Sequence, residues 1–340
     1  MQVERREFLK FSTNHHATAA QSALSETYWL HVSRRVMACR FEVTLPAWDR
    51  TGVRAARIAL DESEKLEQKL TIFKENSEVS YINSNGASFP VRVEAALFTL
   101  LLLCLELNRE TNGAFDITSG PLSRCWGFLK REGRIPEPAQ LEKAVSVVGS
   151  DKLLLDRSSG TVLFKRYGVE INFGSIGKGY ALDRISAMIR NRVQIALLSA
   201  GSSSISAIGS GDICHNGWMV GVRHPRDKNR RLAVLKIRDS ALSTSGNDEQ
   251  YFEHQGKRYG HIIDPRSGQP AEGVSGVTVV AQSAAVADAL ATAFYIGGPD
   301  LAQRYCSTHS EILVIMLESE SERPIVFGSN RRCELEIISE

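Results

Sequence analysis

Apolar and polar positions alternate along the chain in segments that predict both strands and helices. Alternating apolar residues over 32–45 predict a strand. Residues 51–70 are charged and rich in Ala and Leu, with no Pro, and predict a helix. Residues 94–109 predict a second helix, buried because its middle is almost entirely apolar, and the Thr-Asn-Gly sequence at 111–113 predicts its end.

From residue 139 onward the chain interleaves short strands with helices. A helix is predicted at residues 139–145, short strands at 153–155 and 161–165, and a strand at 169–173 that leads through a glycine-rich turn into a helix at 178–191. Further elements are strands at 195–199, 218–222, 232–237 and 277–280 and a last helix at 284–296. Because no regular βαβ period appears, the pattern predicts an α+β fold with helices packed on an antiparallel or mixed sheet. We expect one large unit at 31–335, preceded by a polar tail at 1–30.

Composition and charge exclude several classes of protein. The 340 residues are 43% hydrophobic and 24% charged, which is typical of a soluble globular protein. A net charge of +2 gives no electrostatic footprint for nucleic acid, so no nucleic-acid partner is expected. The longest apolar run, residues 100–105, is far shorter than the roughly 20 residues of a transmembrane helix, and no integral membrane span is expected.

The N-terminus carries a degenerate export signal. Arg5 and Arg6 resemble a twin-arginine motif, but the stretch that follows is polar where such a signal needs apolar residues. A cytoplasmic location is favoured, and export to the periplasm stays open.

Residues 172–180 hold three glycines and Lys178 between a predicted strand and a predicted helix. Glycine lets backbone amides approach an anion, and a helix N-terminus favours negative charge. The spacing does not fit a Walker loop. The segment is therefore either an anion site or an ordinary turn between two elements.

Asp288 and Thr292 are four residues apart on the last predicted helix and share one face, with Val286, Leu290 and Phe294 turned toward the core. A buried carboxylate needs a charged partner or a metal. One carboxylate and one hydroxyl suit Mg²⁺, which takes further oxygens from water and phosphate. The alternative is an ordinary helical Asp paired with a Lys or Arg.

His261 is predicted to end a strand, just before a turn at residues 264–268. It is a candidate reactive group, although a lone histidine is more often structural. The loop at 114–122, with Trp126 and Phe128 close behind, could cap the core or form a wall for a flat heteroaromatic ring.

The order of these motifs resembles the ApbE family of FAD:protein FMN transferases over about residues 32–330. Residues 37–41 look like the opening M-G-T-x-F of the family, and residues 77–83 are similar to its S-E-[IL]-S-x-[LF]-N segment. The blocks that then follow in the family's order are 114–116, 120–122, 126–128, 174–183, 244–246, 261–265 and 288–292.

The resemblance implies a T-fold-like α+β fold and Mg²⁺-dependent transfer of the FMN half of FAD to a Thr or Ser hydroxyl of an acceptor redox protein, with release of AMP. His261 matches the proposed catalytic base, and Lys178 would meet the FAD diphosphate. The implied metal ligands are Ser175, Asp288, Ala291 and Thr292. The implied flavin and adenosine contacts are Met37, Phe73, Ala114, Phe115, Asp116, Asn172 and Ile262. An FAD pyrophosphatase and an FAD-binding protein without turnover are the alternatives.

The sequence departs from the family pattern at a few positions. Ala38 and Cys39 replace Gly and Thr, and Asn172 stands where an acid is usual. Ser202 and Ser203 follow Gly201 where a second glycine is common. Asn172 bears on the strength of adenosine binding, and the serines on how closely backbone approaches the ligand.

Overall fold

The computed structural model describes residues 28–211, 216–227, 229–246 and 250–338. Arg5, Arg6 and the predicted tail up to residue 27 lie outside this range. The described residues form seven α-helices, which are α1 (Arg50–Leu70), α2 (Glu78–Asn85), α3 (Ala95–Glu110), α4 (Gly120–Cys125), α5 (Pro138–Val147), α6 (Gly177–Ile189) and α7 (Ala284–Thr308).

The same residues form 16 strands. In chain order these are β1 (Trp29–Val36), β2 (Cys39–Pro46), β3 (Val91–Arg92), β4 (Leu153–Asp156), β5 (Thr161–Phe164), β6 (Ala196–Ala200), β7 (Ser204–Ile208), β8 (Trp218–Arg223), β9 (Arg231–Ile237), β10 (Ala241–Gly246), β11 (Tyr251–His254), β12 (Lys257–Gly260), β13 (Val274–Ala281), β14 (Leu313–Glu318), β15 (Ile325–Gly328) and β16 (Cys333–Ile337).

An eight-stranded sheet with the order β1-β2-β6-β7-β10-β13-β14-β15 organises the molecule. Each neighbouring pair of strands in it is antiparallel. Two three-stranded sheets, β16-β9-β8 and β3-β5-β4, and the β11-β12 hairpin complete the strands. Antiparallel sheets with helices packed on them confirm the predicted α+β fold.

The main sheet buries both of its faces because side chains alternate along each strand. On one face, Phe41 and Val43 of β2 pack in a cluster with residues of α1 and α6. On the other, Val280 of β13 and Ile315 of β14 pack in a cluster with Trp218 of the β16-β9-β8 sheet. The order of layers is therefore helices, main sheet, small sheet.

Helices α6 and α7 lie close together at their N-terminal ends. The Asp183 carboxylate of α6 accepts hydrogen bonds from the Ala284 and Ala285 amides at the start of α7, at 2.8 and 2.9 Å. A Cβ atom on Gly179 would lie 2.1 Å from the Ala284 carbonyl oxygen, so only glycine permits this approach. The contact brings the first turn of α6, with Lys178, near Asp288 of α7.

Several predicted elements differ in the structure. The strand predicted over residues 32–45 is two strands, because Met37 and Ala38 adopt positive φ angles of 52° and 58° and reverse the chain. The first of them begins at Trp29, inside the range predicted as tail. The predicted helix at 284–296 continues as α7 to Thr308, past non-helical backbone at Gly298.

The strand predicted at residues 169–173 is wrong. This segment belongs to no strand, and its backbone bonds to the Ile117 carbonyl oxygen and to the side-chain amide of Asn83. The Ile171 amide donates to Asn83 Oδ1 at 2.7 Å, and Asn83 Nδ2 donates to the Ile171 carbonyl oxygen at 2.9 Å. One side chain thus satisfies backbone groups that a sheet would otherwise pair.

Among the described residues, no helix combines the length and apolar character that crossing a bilayer requires.

Candidate active site

A cavity of about 460 Å³ lies where the start of α6, the first half of α7, strands β7 and β10 and the residues after β12 meet. It brings together side chains from distant parts of the sequence. The predicted site residues that line it are Phe73, Ala114, Asp116, Asn172, Ser175, Lys178, His261, Ile262, Asp288 and Thr292.

Three predicted site residues do not line this cavity. Phe115 is 1% exposed and lies in the core, and Ala291 of α7 is fully buried. Met37 lies in the turn between β1 and β2, where its amide donates to Glu67 Oε1 at 2.9 Å and its side chain packs against the core. Side-chain contact of these three with a ligand in the cavity would require a different arrangement.

Asp288 is 6% exposed and is held at both carboxylate oxygens. Its Oδ2 accepts a hydrogen bond from the Gly179 amide at 3.0 Å. Its Oδ1 accepts from the hydroxyl groups of Ser243 at 2.7 Å and Ser204 at 3.3 Å. In the described part of the chain these partners are an amide and two hydroxyls, with no cation among them. None of these partners balances the charge of the buried carboxylate, and a metal ion bound beside it would do so.

The donor set near Asp288 fits Mg²⁺ better than a transition metal. The described residues contain no group of three or more His, Cys, Asp or Glu side chains able to hold a metal. Thr292, one turn after Asp288, has its Oγ1 atom 3.4 Å from the Asp288 carbonyl oxygen and 3.3 Å from Ser245 Oγ. Ser175 lines the cavity in the turn before α6. A single carboxylate surrounded by hydroxyl and carbonyl oxygens is the kind of site in which Mg²⁺ completes its shell with phosphate and water.

Lys178 provides positive charge in the first turn of α6. Its ammonium group donates a hydrogen bond to the Ser203 hydroxyl. The N-terminus of α6 adds a partial positive charge at the same end of the cavity. This end therefore favours an anion such as a phosphate group.

His261 directly follows β12 and lines the cavity. Its Nδ1 atom lies 3.0 Å from the carbonyl oxygen of Gln250, which can only accept, so Nδ1 carries the hydrogen. Nε2 of the neutral ring then holds the lone pair, as a general base requires. The ring of Phe128 packs edge-on against the imidazole, with centroids 6.5 Å apart.

Asp116 and Asn172 stabilise the loops that carry them. The 6% exposed Asp116 carboxylate accepts from Asn108, from the amide and hydroxyl of Thr118, and from the amide and hydroxyl of Ser150. Asn172 Oδ1 accepts from the Gly174 amide at 2.9 Å and closes the turn before α6. Both residues fix cavity walls, whatever they contact in a ligand.

Burial shifts the pKa of two groups at or behind the cavity. Desolvation raises the pKa of Asp183, the carboxylate that accepts from the first amides of α7. It lowers the pKa of His224, which is 2% exposed, and the nearby Arg230 and Arg226 lower it further. His224 Nδ1 accepts from the amides of Arg226 and Asp227, both at 3.2 Å, so this ring is held by backbone.

The family model described as "ApbE family" matches residues 37–316. The chain belongs to the ApbE family. It is 29% identical over 262 residues to the FAD:protein FMN transferase of Haemophilus influenzae, covering 74% of this chain and 75% of that protein. It is 30% identical over 263 residues to the enzyme of the same name from Escherichia coli K12, covering 75% and 74%.

Solved ApbE structures share the fold. The ApbE protein of Thermotoga maritima superposes with a TM-score of 0.77 at 28% identity, covering 86% of this chain and 97% of that one. The flavin transferase ApbE of Vibrio cholerae gives a TM-score of 0.76 at 24% identity, covering 89% and 98%, a likeness of fold. By its family, the chain is an enzyme of the transferase class.

Sequence reasoning missed the residues of this ApbE chain that hold Asp288 and His261. Ser243 directly precedes the Thr-Ser-Gly block at 244–246, and Ser204 follows the serines at 202 and 203. Gln250 lies 11 residues before His261 and contacts it through its backbone, which no sequence motif records. The run of serines was the one available signal.

Proposed function

We propose that this ApbE transferase splits FAD and transfers its FMN half, through the phosphate, to a Thr or Ser hydroxyl of an acceptor redox protein, releasing AMP. The observation that carries the proposal is the meeting of Lys178, Asp288 and His261 at one cavity. These supply a cation for phosphate, a carboxylate for metal and a base for a hydroxyl. The names of the H. influenzae and E. coli relatives support the same reaction.

The residues around Asp288 would hold Mg²⁺. Asp288 and Thr292 offer side-chain oxygens, Ser175 offers its carbonyl oxygen, and Ala291 is a further expected contributor. When bound, Mg²⁺ offsets negative charge on the FAD diphosphate. Lys178 and the amides at the start of α6 bind the same diphosphate from the protein side.

His261 accepts the proton of the acceptor hydroxyl at Nε2, with Nδ1 held by Gln250. The acceptor oxygen then bonds to the FMN-side phosphorus, and the bond from that phosphorus to the bridging oxygen breaks. AMP leaves with the bridging oxygen. The product is a phosphodiester between the acceptor residue and FMN.

The flavin and adenosine ends of FAD require flat, partly apolar walls. Phe73 is 74% exposed where it lines the cavity, and Ala114 and Ile262 line it also. Asn172 and Asp116 lie in loops that face it. We assign these residues to the walls that contact FAD, and Met37 and Phe115 to positions behind them.

The test uses the full chain with FAD, Mg²⁺ and a candidate acceptor protein, followed by chromatography for AMP and FMN and by mass spectrometry of the acceptor. Transfer gives AMP and an acceptor that gains the mass of FMN less one water. AMP with free FMN and an unmodified acceptor would indicate the pyrophosphatase. Bound FAD that stays intact would indicate a binding protein and would overturn the proposal.

A further inference from the structure

Three serine hydroxyls connect two oppositely charged groups of the cavity, Lys178 and Asp288. Ser203 Oγ accepts from the Lys178 ammonium group and lies 3.4 Å from Ser204 Oγ. Ser204 Oγ lies 3.1 Å from Ser243 Oγ. Ser243 Oγ lies 2.7 Å from Asp288 Oδ1. The contacts form one path from a cation to an anion.

The sheet itself places the middle of this path. Ser204 begins β7 and Ser243 lies in β10, and the two residues are directly opposite in the antiparallel register. Opposed side chains on one face of such a pair are close enough to hydrogen-bond. Both serines are fully buried, so water does not compete for their hydroxyls.

The number of hydrogens fixes the direction of the path. A serine hydroxyl has one hydrogen to donate, and an ionised carboxylate can only accept. Ser243 therefore donates to Asp288, and the one Ser204 hydrogen goes either to Ser243 or directly to Asp288 Oδ1, 3.3 Å away. Ser204 in turn accepts from Ser203, which accepts from the Lys178 ammonium. In both arrangements the hydrogen bonds run from Lys178 to Asp288.

We propose that Ser203, Ser204 and Ser243 act as positioning residues that hold Lys178 and Asp288 apart and in fixed orientation, ready for a diphosphate and its cation. This inference rests on the proposed function. Opposite charges in one cavity attract strongly, and a direct ion pair would occupy both groups. Hydroxyls aligned from cation to anion satisfy each group at a distance and polarise one another.

The experiment measures binding, which needs no turnover. Equilibrium affinity for FAD, by flavin fluorescence, and for inorganic pyrophosphate, by calorimetry, is determined in Mg²⁺ buffer without acceptor. The variants are Ser203→Ala, Ser243→Ala, their double variant and Ser203→Thr, which keeps the hydroxyl. Ser206→Ala is the matched control, because Ser206 is a buried serine in β7, the strand of Ser204, but is not part of the path.

We expect each alanine variant to bind both probes about tenfold more weakly. This is the low end of the loss of affinity seen when a residue that orients a metal ligand is replaced. The double variant should also lose about tenfold, because Ser203→Ala already interrupts both routes from Ser204 to Asp288, the direct one and the one through Ser243. Ser203→Thr and Ser206→Ala should stay within about threefold of wild type.

Single variants that bind like wild type, or a double variant whose losses multiply, would overturn the path. If the buried Ser243→Ala variant does not fold, the Ser203→Ala and Ser203→Thr pair on the partly exposed loop still decides. If the alanine variants lose affinity as expected but the wild-type enzyme never modifies an acceptor, the proposed function is refuted and the path stands. If the wild-type enzyme transfers FMN and the serine variants bind both probes like wild type, the path is refuted and the proposed function stands.

Discussion

His261 Nδ1 donates a hydrogen bond to the main-chain carbonyl oxygen of Gln250, 3.0 Å away. The two residues flank the β11-β12 hairpin, so the hairpin fixes the tautomer of the ring at the cavity. An imidazole held in this way presents Nε2 as its basic atom.

Replacement of His261 by Ala should lower FMN transfer by at least about a hundredfold, the low end of the effect of a positioned general base. The affinity for FAD should stay within a few-fold, because the base acts on the acceptor hydroxyl. Steady-state transfer with saturating FAD and acceptor measures the first quantity, and fluorescence titration the second. His254→Ala, at the exposed tip of the same hairpin, is the control. Unimpaired transfer with weakened FAD binding would make His261 part of the cavity wall instead.

Asp288→Asn should keep the shape of the side chain and remove its charge. We expect Mg²⁺-dependent AMP release to fall at least about a hundredfold, since a bound metal contributes several kcal/mol to such a reaction. Asp300→Asn, exposed on the same helix, should behave as wild type. Full activity of Asp288→Asn in EDTA-treated buffer would end the assignment of a metal to this carboxylate.

Gly179→Ala should lower the free energy of unfolding by about 1–3 kcal/mol, the usual effect of overpacking. The added methyl would lie 2.1 Å from the Ala284 carbonyl oxygen and force α6 away from α7. Gly177→Ala is the control in the same helix, because its nearest neighbour, Phe173 Cβ, would be 3.8 Å away. Denaturant unfolding measures both. Equal stability of the two variants would show that the helices can separate without cost.

Ala38→Gly should stabilise the protein by about 1 kcal/mol. Ala38 has a φ of 58°, a left-handed conformation that costs an L-residue roughly 1–2 kcal/mol and glycine very little. Ala139→Gly, exposed in the first turn of α5, should instead cost up to about 1 kcal/mol, the value for a helix interior. Chemical denaturation of both variants checks the opposite signs, and a destabilised Ala38→Gly protein would contradict the strain.

The local pattern of the sequence was sufficient to predict the major helices. The charged, Ala- and Leu-rich stretch at 51–70 is α1, and the apolar run after residue 94 is α3, because these patterns need only nearby residues to express them. The order of short motifs was sufficient to predict the family. A block such as residues 261–265 can be identified from its residues alone, without knowing where it lies in the fold.

Tertiary contacts decided what local pattern could not. The segment at 169–173 has the composition of a strand, yet the Ile171 backbone bonds to the side chain of Asn83, 88 residues earlier in the chain. Helical spacing placed Asp288 and Thr292 on one face. The serine partners of Asp288, however, come from β7 and β10, 84 and 45 residues earlier in the chain. Their meeting depends on the register of an antiparallel pair, which forms only when the whole sheet does. The sequence alone thus determined the major helices and the family, while the environment of the reactive groups was decided by which distant strands became neighbours.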